Sequence, residues 1–356
     1  MNDLRSESAR VVALRRLMGE RNIEALLVTQ RENVRYLTGF TGSSGSVVIA
    51  SGKPILVTDF RYQIQAAAEA PKVKVLIQKK DHVTAVKEAA KRLGVNTLWF
   101  DDASMTIERA KAFRKQGLHL KGIKDPVAEI RQRKDRIELA KINTAIHRAE
   151  DAFRALKRFI KPGVSERELG FKLEMLIREQ GSRRTAFDII VASGTNGAMP
   201  HASITDRRLR AGDLVTLDFG AEADGYYSDI TRTVCVGRPT PRQRRVHDLV
   251  LQAQTRAIDA VKPGVRCAEL DRHARTTIAQ AGHGKYFGHA TGHGVGLMVH
   301  EGPSLSALSK GVVDAGMVFT VEPGIYIAGW GGIRIEDMVL VTAGGHRVMT
   351  SLPREL

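Results

Sequence analysis

The sequence predicts an α/β protein of two domains, the second assembled from two related halves. Three observations carry this expectation. Helical and strand patterns alternate through the first 125 residues, a long amphipathic helical stripe follows Pro126, and a Pro-Gly motif recurs 101 residues further on.

In order, an amphipathic stretch over Ala9–Arg21 leads into an apolar run, Ala25–Thr29. Ser46–Ala50 and Pro54–Thr58 read as strands around a turn at Ser51–Lys53. A helical Gln63–Ala70, a strand Val73–Gln78 and a helix Val83–Leu93 that stops at Gly94 come next. Strand Thr97–Asp101, helix Ile107–Gln116 and strand Leu118–Ile123 complete a domain expected over 1–125, with a mostly buried sheet. The second domain is expected over 126–356. Near its start the charge run Arg131–Arg136 reads as a solvated surface, and beyond it Ile142, Ala145, Ile146, Ala149, Ala152, Phe153 and Leu156 follow the spacing of a buried helical stripe.

The repeat lies in this second part. Ile160-Lys-Pro-Gly-Val164 returns as Val261-Lys-Pro-Gly-Val265, and at the same offset Glu168 matches Glu269, Leu169 matches Leu270, Ile177 matches Ile278 and Gly181 matches Gly282. Each copy starts a helix after Pro-Gly and stops it at a glycine, so a duplicated α/β half is expected, with a cleft between the copies.

Composition narrows the function. The 356 residues carry 55 Lys and Arg against 39 Asp and Glu, a net +16. Residues 1–125 hold 22 basic and 13 acidic side chains and residues 126–356 hold 33 and 26, so no single basic tail accounts for the excess. The charge therefore reads as surface character, and nucleic acid is not the expected partner. No apolar run reaches the roughly 18–20 residues that span a bilayer. Met1–Arg21 carries five arginines and lacks the uninterrupted apolar core of a secretion signal. With Cys235 and Cys267 as the only cysteines, a reducing cytoplasm is the expected compartment.

Chemistry concentrates in the second domain. His283, His289, His293 and His300 fall within eighteen residues, in a segment whose glycines let backbone approach a ligand closely. Leu214–Phe219 and Tyr227–Val234 read as a hairpin turning at Asp224–Gly225, which sets Asp218 opposite Thr231, with Asp229 two residues along on the same face. Met317–Glu322 and Ile333–Val341 flank a second turn, and Glu322 and Glu336 are equidistant from Gly329, so a symmetric connection sets them opposite each other. Acids on apolar strands are costly to bury uncompensated. Pairing with Arg232 and Arg334 is one solution; two hairpins of paired acids beside a histidine cluster fit a divalent-metal site better. Four carboxylates and an imidazole form a hard donor set suited to manganese, with cobalt, iron or zinc as alternatives.

The order Asp218, Asp229, His293, Glu322, Glu336, within the motifs LDFGAEADGYYSDITRT, GHGVGLMVHEGP, FTVEPGIYI and GIRIED, closely resembles the metal-dependent "pita-bread" peptidases. These include Xaa-Pro dipeptidase (prolidase), aminopeptidase P and methionine aminopeptidase. The resemblance implies an amino-terminal α/β domain followed by a pita-bread catalytic domain with pseudo-twofold halves. It implies two divalent ions, Asp218 on one, His293 and Glu322 on the other, and Asp229 and Glu336 shared. By the same resemblance Glu322 takes the proton of the attacking water, His300 stabilises the tetrahedral intermediate and His201 contacts substrate. His289 lines the site, and Arg334 and Tyr326 orient the carboxylates. The amino-terminal domain and Tyr36-Leu-Thr-Gly-Phe-Thr-Gly-Ser-Ser-Gly45 point to the prolyl-type members, acting on proline-containing peptides as homodimers. The expected activity is Xaa-Pro aminopeptidase, with Xaa-Pro dipeptidase as the alternative. A binding protein that keeps the fold without catalysis is the different-class alternative.

Overall fold

The structure, a computed structural model, describes residues 3–356. The chain divides into two compact units, one running to Arg131 and one over Gln132–Leu356. The boundary expected at 125/126 falls just ahead of a short helix, Pro126–Arg131, that groups with the first unit.

The first unit runs α1 (Asp3–Glu20), β1 (Leu26–Val28), α2 (Arg31–Thr38), β2 (Gly45–Ile49), β3 (Ile55–Thr58), α3 (Gln63–Glu69), β4 (Lys74–Ile77), α4 (His82–Arg92), β5 (Thr97–Asp101), α5 (Ile107–Lys115), β6 (His119–Ile123) and α6 (Pro126–Arg131). Its six strands form one sheet in the order β4-β3-β2-β1-β5-β6. β2 runs antiparallel to both neighbours, whereas β3–β4, β1–β5 and β5–β6 are parallel. Leu27, Val48, Val57, Leu98, Val86 and Phe113 make its core, as expected from strands that read as continuous apolar runs.

The second unit runs α7 (Arg136–Leu156), α8 (Glu166–Glu179), β7 (Ile190–Ser193), β8 (Leu214–Phe219), β9 (Glu222–Ala223), β10 (Tyr226–Tyr227) and β11 (Ile230–Cys235). It continues through α9 (Pro241–Asp259), α10 (Cys267–Gln280), β12 (Gly292–Gly294), β13 (Glu301–Leu305), β14 (Val318–Val321), β15 (Gly324–Ile327), β16 (Gly331–Arg334), β17 (Asp337–Thr342) and β18 (Gly345–Val348). Three of its helices, α7, α8 and α9, start at capping boxes: Asp135 with Glu138, Ser165 with Glu168 and Thr240 with Gln243. The whole predicted stripe of α7 is buried, from Ile142 to Leu156.

The repeat is structural. α8 and α10 lie 101 residues apart end to end. Two backbone bonds accompany each copy: Gly163 N to Leu209 O and Leu209 N to Val164 O, matched by Gly264 N to Val313 O and Val313 N to Val265 O. The antiparallel order β11-β8-β7 of one half recurs as β17-β14-β12 in the other. The halves meet along β11, where Glu336 N donates to Thr231 O and Arg232 bonds the Asp337 carboxylate at 2.7 Å.

The charge run Arg131–Arg136 departs from its expected solvated surface. Arg131 is buried and donates to Asn33 Oδ1 at 2.7 Å, and Lys134 is buried on Glu301 at 2.7 Å. Two charges taken out of water here are each satisfied within their own unit, as burial demands.

Candidate active site

Two strand pairs present the acids. In the first, Asp218 on β8 faces Thr231 on β11, and the same register continues through the small hairpin to Ala223↔Tyr226. The reversal occurs at Asp224 (φ 46°) and Gly225 (φ 75°), two left-handed residues of the kind a two-residue hairpin turn requires. In the second, β14–β17 pairs Val321 with Asp337, and β15–β16 pairs Gly324 with Arg334. Glu322 and Glu336 fill the step between these two ladders, facing each other where the strands pass from one sheet to the next.

His293 sits in β12, between β13 and β14, and the strand's glycines serve a different purpose from the expected one. A Cβ on Gly292 would lie 1.9 Å from Thr320 O, and one on Gly294 would lie 2.0 Å from Gly302 O. These glycines let β12 press against neighbouring backbone rather than against a ligand. A register shift between His293 and Gly294 then turns the imidazole toward the acids.

Asp218, Asp229, His293, Glu322 and Glu336 converge on one cavity of about 460 Å³, together with His201, His289, His300 and Arg334. His293 Nε2 lies 3.3 Å from Glu322 and 3.6 Å from Asp229. Ligand atoms of Asp229, His293 and Glu336 all fall within 4.8 Å of one another. His293 Nδ1 donates to Gly294 O at 3.1 Å, which fixes the tautomer and leaves Nε2 as a lone pair facing carboxylates. Burial lowers its pKa, so the imidazole stays neutral and able to ligate.

Arg334 is the single arginine among these acids. Its guanidinium donates to Asp218 Oδ2 (2.7 Å), Thr231 Oγ1 (3.0 Å), Tyr326 Oη (2.9 Å) and Pro200 O (3.2 Å). Thr231 relays the arrangement by donating to Glu336 Oε2 at 2.6 Å, and Thr320 donates to Glu322 Oε1 at 3.0 Å. Arg232, the other arginine considered as a partner, is spent on Asp337. One guanidinium cannot neutralise four carboxylates. Burial, then repulsion led by Glu336, raises Asp229 well above the carboxylate range, and burial, then repulsion led by Glu322, does the same to Glu336. Burial pushes Glu322 to about 7 despite the opposing pull of Arg334.

The donor set fits divalent cations. Asp218 Oδ1 is buried with no hydrogen-bond partner, and the His293 lone pair faces the carboxyl oxygens of Asp229 and Glu322. Several kcal/mol of desolvation per buried anion needs a compensating charge, and oxygen donors with one imidazole suit a hard or borderline metal.

The remaining predicted residues are also placed. The His300 ring lies 4.2 Å from that of His293, and this exposed residue lines the cavity. His201 rises from the segment Ser193–Thr205, which the buried Glu166 pins by accepting from Ser193 N and Oγ (both 2.7 Å), Asn196 Nδ2 and Thr205 N. His289 has both ring nitrogens engaged: Nδ1 donates to Ala290 O at 2.8 Å, and Nε2 accepts from Tyr326 Oη at 2.9 Å. Tyr326 stands between His289 and Arg334, with its hydroxyl pushed by burial to about 12 and His289 lowered by burial to about 4. Sequence reasoning passed over Thr320, Glu166, Phe187 and Asp188, and gave Thr231 no role. The alternation that placed Asp218 opposite Thr231 was the available signal for the last.

Comparison with known proteins follows the same lines. The description of metallopeptidase family M24 matches residues 140–343, and that of the creatinase/prolidase N-terminal domain matches residues 10–133. This chain belongs to metallopeptidase family M24. As an M24 metallopeptidase it is a hydrolase whose family employs divalent metal ions. This M24 chain resembles a solved Xaa-Pro dipeptidase from Bacillus anthracis, with 39% identity, a TM-score of 0.95, and 98% of this chain and 99% of the other covered. The Xaa-Pro dipeptidase of Pyrococcus furiosus is 37% identical over 98% of this chain and 99% of its own length. A solved X-Pro aminopeptidase from Thermotoga maritima is 36% identical, with a TM-score of 0.89, over 97% of this chain and 98% of the other. No helix among the described residues is long and apolar enough to cross a membrane.

Proposed function

We propose that the chain is an Xaa-Pro dipeptidase, hydrolysing the bond between an N-terminal residue and proline with the aid of two divalent ions. The observation that carries it is the convergence of four carboxylates and one imidazole on a single cavity, in a chain that follows Xaa-Pro dipeptidases along nearly its whole length. The dipeptidase alternative is preferred here to the expected aminopeptidase, supported by the likeness to the Xaa-Pro dipeptidases of Bacillus anthracis and Pyrococcus furiosus.

In this reading Asp218, Asp229, His293, Glu322 and Glu336 would hold the metals, and manganese is the best match to the donors. When bound, such a pair polarises a carbonyl and lowers the pKa of water. Glu322 accepts the proton of the attacking water and passes it toward the proline nitrogen, its carboxylate held in place by the Thr320 hydroxyl. His300, neutral because burial lowers its pKa, donates a hydrogen bond to the oxyanion as the carbonyl becomes tetrahedral. His201 faces the substrate from the pinned segment. Arg334, Tyr326, His289 and Thr231 are positioning residues, holding Asp218 and Glu336 in orientation. The enzyme works as a homodimer in the cytoplasm, a compartment supported by its two free cysteines.

The manganese-loaded enzyme is expected to cleave Leu-Pro faster than Leu-Pro-Gly in a side-by-side assay. Faster cleavage of the tripeptide restores the aminopeptidase reading, and inertness toward both rejects the prolyl function. Arg334→Lys, which removes the forked contact to Asp218 and Thr231, is expected to weaken metal affinity by about 10–100-fold. Metal titration followed by calorimetry measures this, and an unchanged affinity removes Arg334 from its positioning role.

A further inference from the structure

One acid of the cavity has no part in the chemistry above. Asp188 lines the cavity beside Phe187 and Ile190, yet its side chain is exposed, which puts it at the solvent side of the wall. It has no hydrogen bond or ion pair among the described residues, although two arginines precede it closely in sequence. Arg183 lies 3.9 Å from Glu222, and Arg184 is engaged by the Tyr227 hydroxyl. Ile190 pairs in register with Asp218, so Asp188 lies two residues before the start of the strand that borders the metal-facing acids.

An unpaired carboxylate beside two apolar side chains matches one ligand shape, an alkyl stem ending in a cation. Lysine and arginine have this shape, burying the stem on apolar surface while the head reaches the acid. The substrate's own ammonium does not suit the position. It is two bonds from the scissile carbonyl, which must lie against Glu322 and His293, whereas Asp188 stands at the exposed rim.

We infer that Asp188 selects for a basic first residue, so that Lys-Pro and Arg-Pro are preferred over dipeptides with a neutral first residue. Phe187 and Ile190 hold the stem and Asp188 receives the charged head. This rests on the prolyl reading above and names the substrate class of that site.

The test compares kcat/KM for Arg-Pro and Leu-Pro in the manganese-loaded enzyme and in Asp188→Asn, using the ratio within each enzyme as the readout. The ratio is expected to fall about fivefold in Asp188→Asn, chiefly through KM, and to be retained in Asp188→Glu. Asp188→Lys is expected to invert the preference toward Glu-Pro. An unchanged ratio overturns the inference, as does an equal loss on both substrates, which marks a contact to the common ammonium. If the wild type cleaves neither dipeptide, the dipeptidase reading fails separately. The same ratio for Arg-Pro-Gly and Leu-Pro-Gly then decides the role of Asp188.

Discussion

Replacing Asp229 with asparagine is expected to lower kcat on an Xaa-Pro dipeptide by about 10³-fold or more, with the fold retained. Asp229 is buried, its carboxylate lies 3.6 Å from His293 Nε2, and its ligand atoms cluster with those of Glu336 and His293. An amide offers one neutral acceptor where a carboxylate offers two anionic ones, so it cannot serve two cations at once. Losing about 4 kcal/mol of transition-state stabilisation corresponds to that rate. The metal content of the variant, measured beside its rate, completes the test: near-normal turnover with two metals bound removes Asp229 from its shared position. The same variant is expected to be more stable than the wild type when both are stripped of metal, because one member of a mutually repelling set has been neutralised.

The second large effect concerns the metal-free protein. Asp229, Glu322 and Glu336 all have pKa values raised above their ordinary 3.8 and 4.5, Glu322 to about 7. A carboxyl that ionises more readily unfolded than folded leaves the fold intact below its unfolded value. Stability is then lost as the pH rises from about 4.5 through 7. The chelated enzyme is therefore expected to melt at progressively lower temperature across that interval. Divalent metal at about 1,000 times its Kd is expected to add about 4 kcal/mol, a rise of about 10 °C for a unit of this size. Scanning calorimetry from pH 4.5 to 7.5, with EDTA and with manganese, measures both slopes. A melting temperature indifferent to metal at neutral pH contradicts the role given to these acids.

Much of this site was legible because its geometry follows from two-residue periodicity. Asp218 opposite Thr231 and Glu322 opposite Glu336 need only a strand pattern and a turn, and a left-handed Asp224-Gly225 advertises itself. The paired helices α8 and α10 announced their starts through the repeated Pro-Gly, and α7 its buried face through the stripe from Ile142 to Leu156. Other features depend on partners far along the chain. Lys134 looked solvated because its neighbours are charged, and only the fold brings Glu301, 167 positions away, to bury it. The helix Arg31–Thr38 escaped notice since Gln30 makes no side-chain cap and its apolar positions are few. The glycines around His293 suggested room for a ligand, but the space is taken by Thr320 and Gly302 backbone. The rim carboxylate of Asp188 is one acid among many until a cavity wall is drawn through it.

The step between the β14–β17 and β15–β16 ladders also governs which changes of chain length the enzyme can survive. Register on both sides of Glu322 and Glu336 is set by the same alignment, so deleting one residue from either arm would slide the two strands past each other and turn one acid to the opposite face. The bend at Ala328–Trp330 is free of this coupling, because Ile327 and Gly331 close the ladder before it and Gly329 (φ 75°) has no atom near where a side chain would begin. Extra residues placed after Gly329 would loop outward and leave both acids in place. Insertions in this hairpin are thus permitted at its tip and forbidden along its arms, a rule imposed by the spacing of two carboxylates rather than by the stability of the sheet.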